Sequence, residues 1–164
     1  MNVLLAGGAG FIGSHTAAEL LIAGHDVFVI DNLSNSYKTA LDGPEKLSKK
    51  KIAFHETDLR DYQSVLKFSR DKRIDAIIHL AGFKSVGESV LDPVAYFDNN
   101  LIPTINLCKL VEELEIKNFV FSSSATVYGN PAKMPIEESF STSEALSPYA
   151  ESKVINETIL KALE

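Results

Sequence analysis

The chain has one cysteine, Cys108, so no disulfide can form within it, and a reducing compartment fits. Cys108 lies in a helical apolar stretch with Ile105, Leu107, Leu110 and Val111. It reads as a small core residue, not a nucleophile. An excess of positive charge is also missing. The net charge is −6 at pH 7, which gives no electrostatic footprint for nucleic acid or anionic lipid. No apolar run approaches the ~20 residues of a membrane span. No basic segment precedes the apolar N-terminus, which runs straight into glycines. That is a buried first strand, not a signal peptide. His15, His25, His55 and His79 stand at no ligand spacing, so no metal site is expected. The expected setting is cytoplasmic, where the sequons at Asn32 and Asn156 are chance matches.

What remains is an ordinary soluble composition. The 164 residues are 45% hydrophobic and 23% charged, enough for one domain with a real core. Short β-rich runs alternate with helical segments. Strands are expected at 2–6, 26–30, 51–56, 75–80 and 118–123. Helices are expected at 11–23, weakly near 37–47, then at 62–70, at 93–115 and from Ser147-Pro148 onward. Serine is a good N-cap there, and proline suits the first helical position. The strand cores VLL, VFVI, AIIH and FVF are continuous apolar runs, as in a sheet covered on both faces. Right-handed crossovers then give an α/β doubly wound parallel sheet of Rossmann type, ordered 3-2-1-4-5, with helices on both faces. The one long irregular stretch is 129–147, and loops of that length are usually functional or mobile.

Gly7, Gly10 and Gly13 sit between the first strand and the first helix. The first glycine permits the tight turn, the second lets the backbone approach a pyrophosphate, and the third lets helix and strand pack closely. The helix N-terminus offers free N–H groups to phosphate. Asp31 ends the second strand, where a carboxylate can accept hydrogen bonds from a ribose diol. It would repel a 2′-phosphate, and no Arg or Lys lies between residues 27 and 37. NAD is therefore favoured over NADP.

Tyr149 and Lys153 stand one helical turn apart. An ammonium beside a phenol stabilises the phenolate, and such a tyrosine can take a proton from a substrate hydroxyl. The fifth strand ends in Ser122-Ser123-Ser124, so Ser124 can hydrogen-bond the same oxygen. His79 reads as a core histidine.

The G-x-x-G-x-x-G spacing and the Ser/Tyr/Lys set resemble the extended short-chain dehydrogenase/reductase superfamily. The likeness narrows. GGAGFIGSH (7–15), DNLSNS (31–36), HLAGFKSVGESV (79–90), YFDNN (96–100), SSSATVYG (122–129) and SPYAESK (147–153) are together similar to UDP-glucose 4-epimerases. The resemblance covers the whole chain. It implies that Phe11 and Ile12 lie by the pyrophosphate. It also implies that Asp31, Asn32, Asn35 and Ser36 hold the adenosine ribose and its surroundings, and that Asp58 and Leu59 border the adenine. Leu80, Ala81, Gly82 and Lys84 would line the cofactor, with Lys84 near phosphate and substrate, and Asn99 would contact it too. Tyr149 would be the base, Lys153 would bind the nicotinamide ribose and tune Tyr149, and Ser124 would assist at the substrate. The implied reaction is epimerisation at C4 of a UDP-hexose through a 4-keto sugar, with NAD regenerated in each cycle.

Three departures matter. Ala6 replaces the threonine that commonly precedes the glycines, so a bond bracing the loop is expected to be missing. Ala125 and Thr126 stand where dehydratases of that branch carry an Asp-Glu pair, which argues against dehydration. Glu151 replaces a small residue between Tyr149 and Lys153, which leaves UDP-hexuronate and other UDP-sugars as alternatives. A non-catalytic NAD-binding module is the rival of a different class. The resemblance also implies a homodimer in the parent enzyme. It implies further strands and a substrate domain beyond this chain, which would be a fragment of the NAD-binding domain. Such a fragment is expected to bind NAD with feeble turnover, and its helices are expected to leave an apolar patch exposed.

Overall fold

A computed structural model describes residues 1–142 and 145–163. The chain divides into two compact units. The first holds Met1–Ala81 with Asn106–Ser122, and the second holds Gly82–Ile105 with the chain from Ser123 onward.

The first unit is built on five parallel strands: β1 (Asn2–Ala6), β2 (Asp26–Asp31), β3 (Ala53–Glu56), β4 (Ala76–His79) and β5 (Asn118–Phe121). Their order is β3-β2-β1-β4-β5, as the alternating pattern predicts. The register sets Ala6 against Ile30 and His79, Asp31 against Glu56, and His79 against Phe121. The carboxyl ends therefore finish at one edge, where open α/β sheets bind ligands. Side chains of β1 alternate between two cores. Leu4 and Ala6 join Val65 and Leu66 of α3 (Tyr62–Ser69) and Leu107 and Leu110 of α5 (Pro93–Leu114). Val3 and Leu5 join Ala17 and Leu21 of α1 (Phe11–Ile22). Each fully buried Leu or Val contributes ~1.5–3 kcal/mol, so these two layers fix the sheet. The expectation of cover on both faces holds for β1, β2 and β4. It fails at the edge strand β5, where Val120 is 56% exposed.

Local chemistry sets the boundaries. Gly24 stops α1 with φ +93°, and its N–H and that of His25 return to the carbonyls of Leu21 and Leu20. Asp61 caps α3 by accepting from Ser64 N at 3.1 Å. The weak helix expected near 37–47 resolves into a 3-10 turn, Lys38–Leu41, followed by α2 (Asp42–Ser48).

In the second unit, a helix that the sequence reading did not anticipate, α4 (Val86–Leu91), is capped by Ser85. The N-terminal part of α5 follows; Pro103 lies inside that helix and cannot donate a helical hydrogen bond. Ser124 caps a second unanticipated element, the 3-10 turn Ala125–Tyr128. Ser147 caps α6 (Pro148–Lys161), with Pro148 at its start as expected. Both α4 and the 125–128 turn pack against α6. Val86, Val90, Leu91 and Val94 are exposed. Among the described residues, no helix is long and apolar enough to cross a membrane.

Candidate functional site

The first unit carries the glycine loop. A Cβ on Gly7 (φ +83°) would lie 2.6 Å from Ala81 N, and one on Gly13 would lie 2.5 Å from Gly7 O. Both positions are closed to any side chain by backbone. At Gly10 the nearest atom would be Gly7 O at 3.5 Å, so this glycine borders open space. Gly10 is also the N-cap of α1, which has no side-chain cap and no acid in its first turn. Phe11 and Ile12 follow it at 79% and 60% exposure. An uncapped, positively polarised helix end beside an accessible glycine is suited to an anion.

Asp31 is buried at the end of β2. Its Oδ2 accepts from Ala9 N at 3.0 Å, and its Oδ1 accepts from Leu33 N at 2.9 Å and Ser36 Oγ at 2.8 Å. The carboxylate thus braces the loop that was expected to be loosened by Ala6. Ala6 contributes as well, since its carbonyl accepts from both Leu80 N and Ala81 N. A carboxylate has about four lone-pair sites, so one remains for a ligand hydroxyl. Ser36 serves Asp31, and Asn35 is exposed nearby. Asn32 donates to Asp58 at 3.2 Å. The Arg60 guanidinium, hydrogen-bonded to both Asp58 oxygens, holds that carboxyl down at about 2. Leu59 is a core residue whose carbonyl accepts from Asn106 Nδ2. Leu80 and Ala81 are half-buried after β4, where His79 is a core histidine in ring contact with Phe119 and Phe121.

The second unit carries the other half of the anticipated residues. Tyr149 and Lys153 are buried on the first turns of α6. Lys153 Nζ lies 6.0 Å from the Tyr149 ring centroid, within reach of a cation–π attraction. Burial pulls the Lys153 ammonium down to about 8. Ser124 is half-buried, and its Oγ accepts from Thr126 N at 3.2 Å and lies 2.8 Å from Thr126 Oγ1. Gly82 (φ +147°) and Lys84 are exposed, and Asn99 Nδ2 donates to Asn100 Oδ1 at 3.3 Å.

Several supporting residues escaped the sequence reading. Asn100 Oδ1 accepts from Phe83 N at 2.7 Å, and its Nδ2 donates to Phe83 O at 3.1 Å and Ser152 Oγ at 3.0 Å. Ser152 Oγ donates to Tyr149 O at 2.7 Å. One amide therefore holds the 82–84 loop and the helix that carries Tyr149 and Lys153. Asn156 Nδ2 donates to Asn100 O. Ser123 Oγ donates to Glu157 Oε1 at 2.5 Å, which ties Ser123 to the same helix. The Tyr96 hydroxyl accepts from Ser85 N and donates to Glu88 Oε2, fixing the end of the Lys84 loop. For Glu157 alone there is a signal that could have found it, its i+8 and i+4 spacing from Tyr149 and Lys153.

The family model of the NAD dependent epimerase/dehydratase family matches residues 3–164. The chain belongs to that family. It is 47% identical over 163 residues to a UDP-glucose 4-epimerase of Bacillus subtilis, covering 99% of this chain and 48% of that protein. It is 47% identical over 164 residues to a UDP-glucose 4-epimerase of Schizosaccharomyces pombe, covering 98% of this chain and 46% of that protein. Among solved structures, a UDP-glucose 4-epimerase of Bifidobacterium longum in complex with NAD+ and UDP superposes with a TM-score of 0.97 at 43% identity. That match covers 99% of this chain and 49% of the other. The chain spans about half the length of the curated relatives it matches.

The residues present fit a dinucleotide. Gly10 leaves room for a diphosphate where Gly7 and Gly13 do not. The α1 N-terminus is uncapped, and Asp31 keeps one acceptor site.

Proposed function

We propose that this chain supplies the NAD-binding and proton-transfer residues of an enzyme that epimerises C4 of a UDP-hexose, UDP-glucose or UDP-galactose, through a 4-keto sugar. The observation that carries the reading is the buried Lys153 ammonium beside the Tyr149 ring on a helix capped by Ser147. It stands in a chain that also has a braced glycine loop. The identity of about 47% to UDP-glucose 4-epimerases adds to it.

NAD held by these residues would supply the hydride chemistry at C4. The protein's part is positional and acid–base. In the first unit, Gly10, Phe11, Ile12 and the α1 N-terminus hold the diphosphate, and Asp31 with Asn32, Asn35 and Ser36 orders the adenosine ribose. Asp58 and Leu59 border the adenine, and Leu80 and Ala81 line the cofactor. In the second unit, Gly82, Lys84 and Asn99 are assigned to the cofactor. Tyr149 takes the 4-hydroxyl proton and gives it back, Lys153 stabilises the phenolate, and Ser124 hydrogen-bonds the sugar oxygen. With about half the length of its relatives, the chain alone binds NAD with little turnover. A reducing, cytoplasmic setting is part of the same reading.

A homodimer forms part of the same proposal, supported by the exposed Val94, Ile102 and Ile105 of α5. Sedimentation of the whole protein as a monomer at micromolar concentration would remove it.

The test is turnover of UDP-galactose by the whole protein. Tyr149→Phe should lower kcat by ~10²–10⁴, and unchanged turnover removes Tyr149 from the reaction. Calorimetry of this chain should show NAD binding more tightly than NADP, and the reverse order sinks the role given to Asp31.

A further inference from the structure

Ser124 has an unusual set of neighbours for a residue at the substrate oxygen. Its Oγ accepts from Thr126 N at 3.2 Å, which makes it the cap of the 125–128 turn. Thr126 Oγ1 lies 2.8 Å from the same oxygen. A serine hydroxyl has one proton to donate and two lone pairs to accept with. One lone pair is already taken by the Thr126 N–H. We infer that Thr126 is a positioning residue whose hydroxyl donates to Ser124 Oγ, so that Ser124 can act at the sugar only as a hydrogen-bond donor. This rests on the epimerase reading above.

The inference assigns directions to every hydrogen bond around the reacting oxygen. With both lone pairs filled by one residue, Ser124 cannot accept the 4-hydroxyl proton. That proton is left to Tyr149. As C4 becomes a carbonyl, its oxygen loses its own hydrogen and needs a donor, which Ser124 then is. The contribution of Thr126 is therefore larger in the transition state than in the bound substrate, and it belongs in kcat rather than KM. Thr126 thus has a role beyond replacing one member of an acid pair, because it supplies two donors to one acceptor. The cap itself uses only the Thr126 backbone N–H.

The experiment has two arms. In the whole protein acting on UDP-galactose, Thr126→Val should lower kcat about tenfold, the loss of one net hydrogen bond, with KM within about twofold. Thr126→Ser, which keeps the hydroxyl, should restore turnover. In an S124A background the valine should have no further effect, because Thr126 acts through Ser124. An unchanged kcat in Thr126→Val overturns the inference. So does an equal loss with and without Ser124, or a failure of Thr126→Ser to rescue. The second arm needs no substrate. Neutron diffraction from deuterated crystals of this chain should place the Thr126 deuteron on the line to Ser124 Oγ. A Ser124 deuteron on that line overturns the inference even if the protein proves not to be an epimerase. Conversely, full activity in Tyr149→Phe sinks the functional reading and leaves the neutron result standing.

Discussion

Lys153→Met removes a charge from a side chain only 7% exposed, while keeping most of the stem that packs there. Burial lowers the ammonium from 10.5 to about 8. At 1.36 kcal/mol per unit, that difference of about 2.5 units is a cost of roughly 3 kcal/mol for keeping the amine charged in the fold. The folded value lies below the unfolded one. Between pH 8 and 10.5 the unfolded chain therefore binds more protons, and stability of the wild-type chain rises with pH through that window. Below pH 8 both states are charged and the whole cost is present. The methionine variant has no such cost, so it should be more stable by up to about 3 kcal/mol at pH 7. The gap should close as pH approaches 10.5. Urea unfolding followed by circular dichroism, on both proteins at matched pH values from 7 to 10.5, measures it. A variant less stable at pH 7, or a gap that does not change with pH, would refute the reasoning. The same variant should lose the function proposed for the pair, a direct exchange of stability against activity.

Two other outcomes follow from the geometry. Gly13→Ala drives a Cβ to 2.5 Å from Gly7 O and 2.6 Å from Gly8 Cα; it should cost about 1–3 kcal/mol and weaken NAD binding, read by scanning and titration calorimetry, and an unshifted melting point would contradict it. Cys108 is 7% exposed and burial pushes its thiol up to about 11, so an aromatic disulfide reagent at pH 8 should react slowly with the folded chain and fully in urea; equal rates in both would contradict its placement.

The strands were legible because VLL, VFVI and AIIH are apolar on both faces, a pattern that only a covered parallel sheet explains. Their order followed from crossover handedness. The α4 helix was not legible, since Val86–Leu91 is six residues long with Gly87 inside, too short for a period to show. The 125–128 turn was hidden because it follows a serine run that reads equally well as a loop. At the site, Tyr149, Lys153 and the capping Ser147 were legible by spacing, and Asp31 by its place at the end of β2. Their supports were not. Asn100, Ser152 and Asn156 are polar and fully buried, and a sequence pattern assigns such residues to the surface. The bond from Ala9 N to Asp31 joins residues far apart in the chain, so no local rule predicts it.

The amide of Asn100 has a consequence for how α6 docks. Two greasy helices can slide along one another with little penalty, because one aliphatic contact substitutes for another. Here a shift of one turn, about 5.4 Å, would leave Asn100 facing neither Ser152 nor Asn156, and each stranded amide or hydroxyl would cost about 1–3 kcal/mol. The helices therefore have a single phase, and the height of Tyr149 and Lys153 is set by an asparagine on the neighbouring helix.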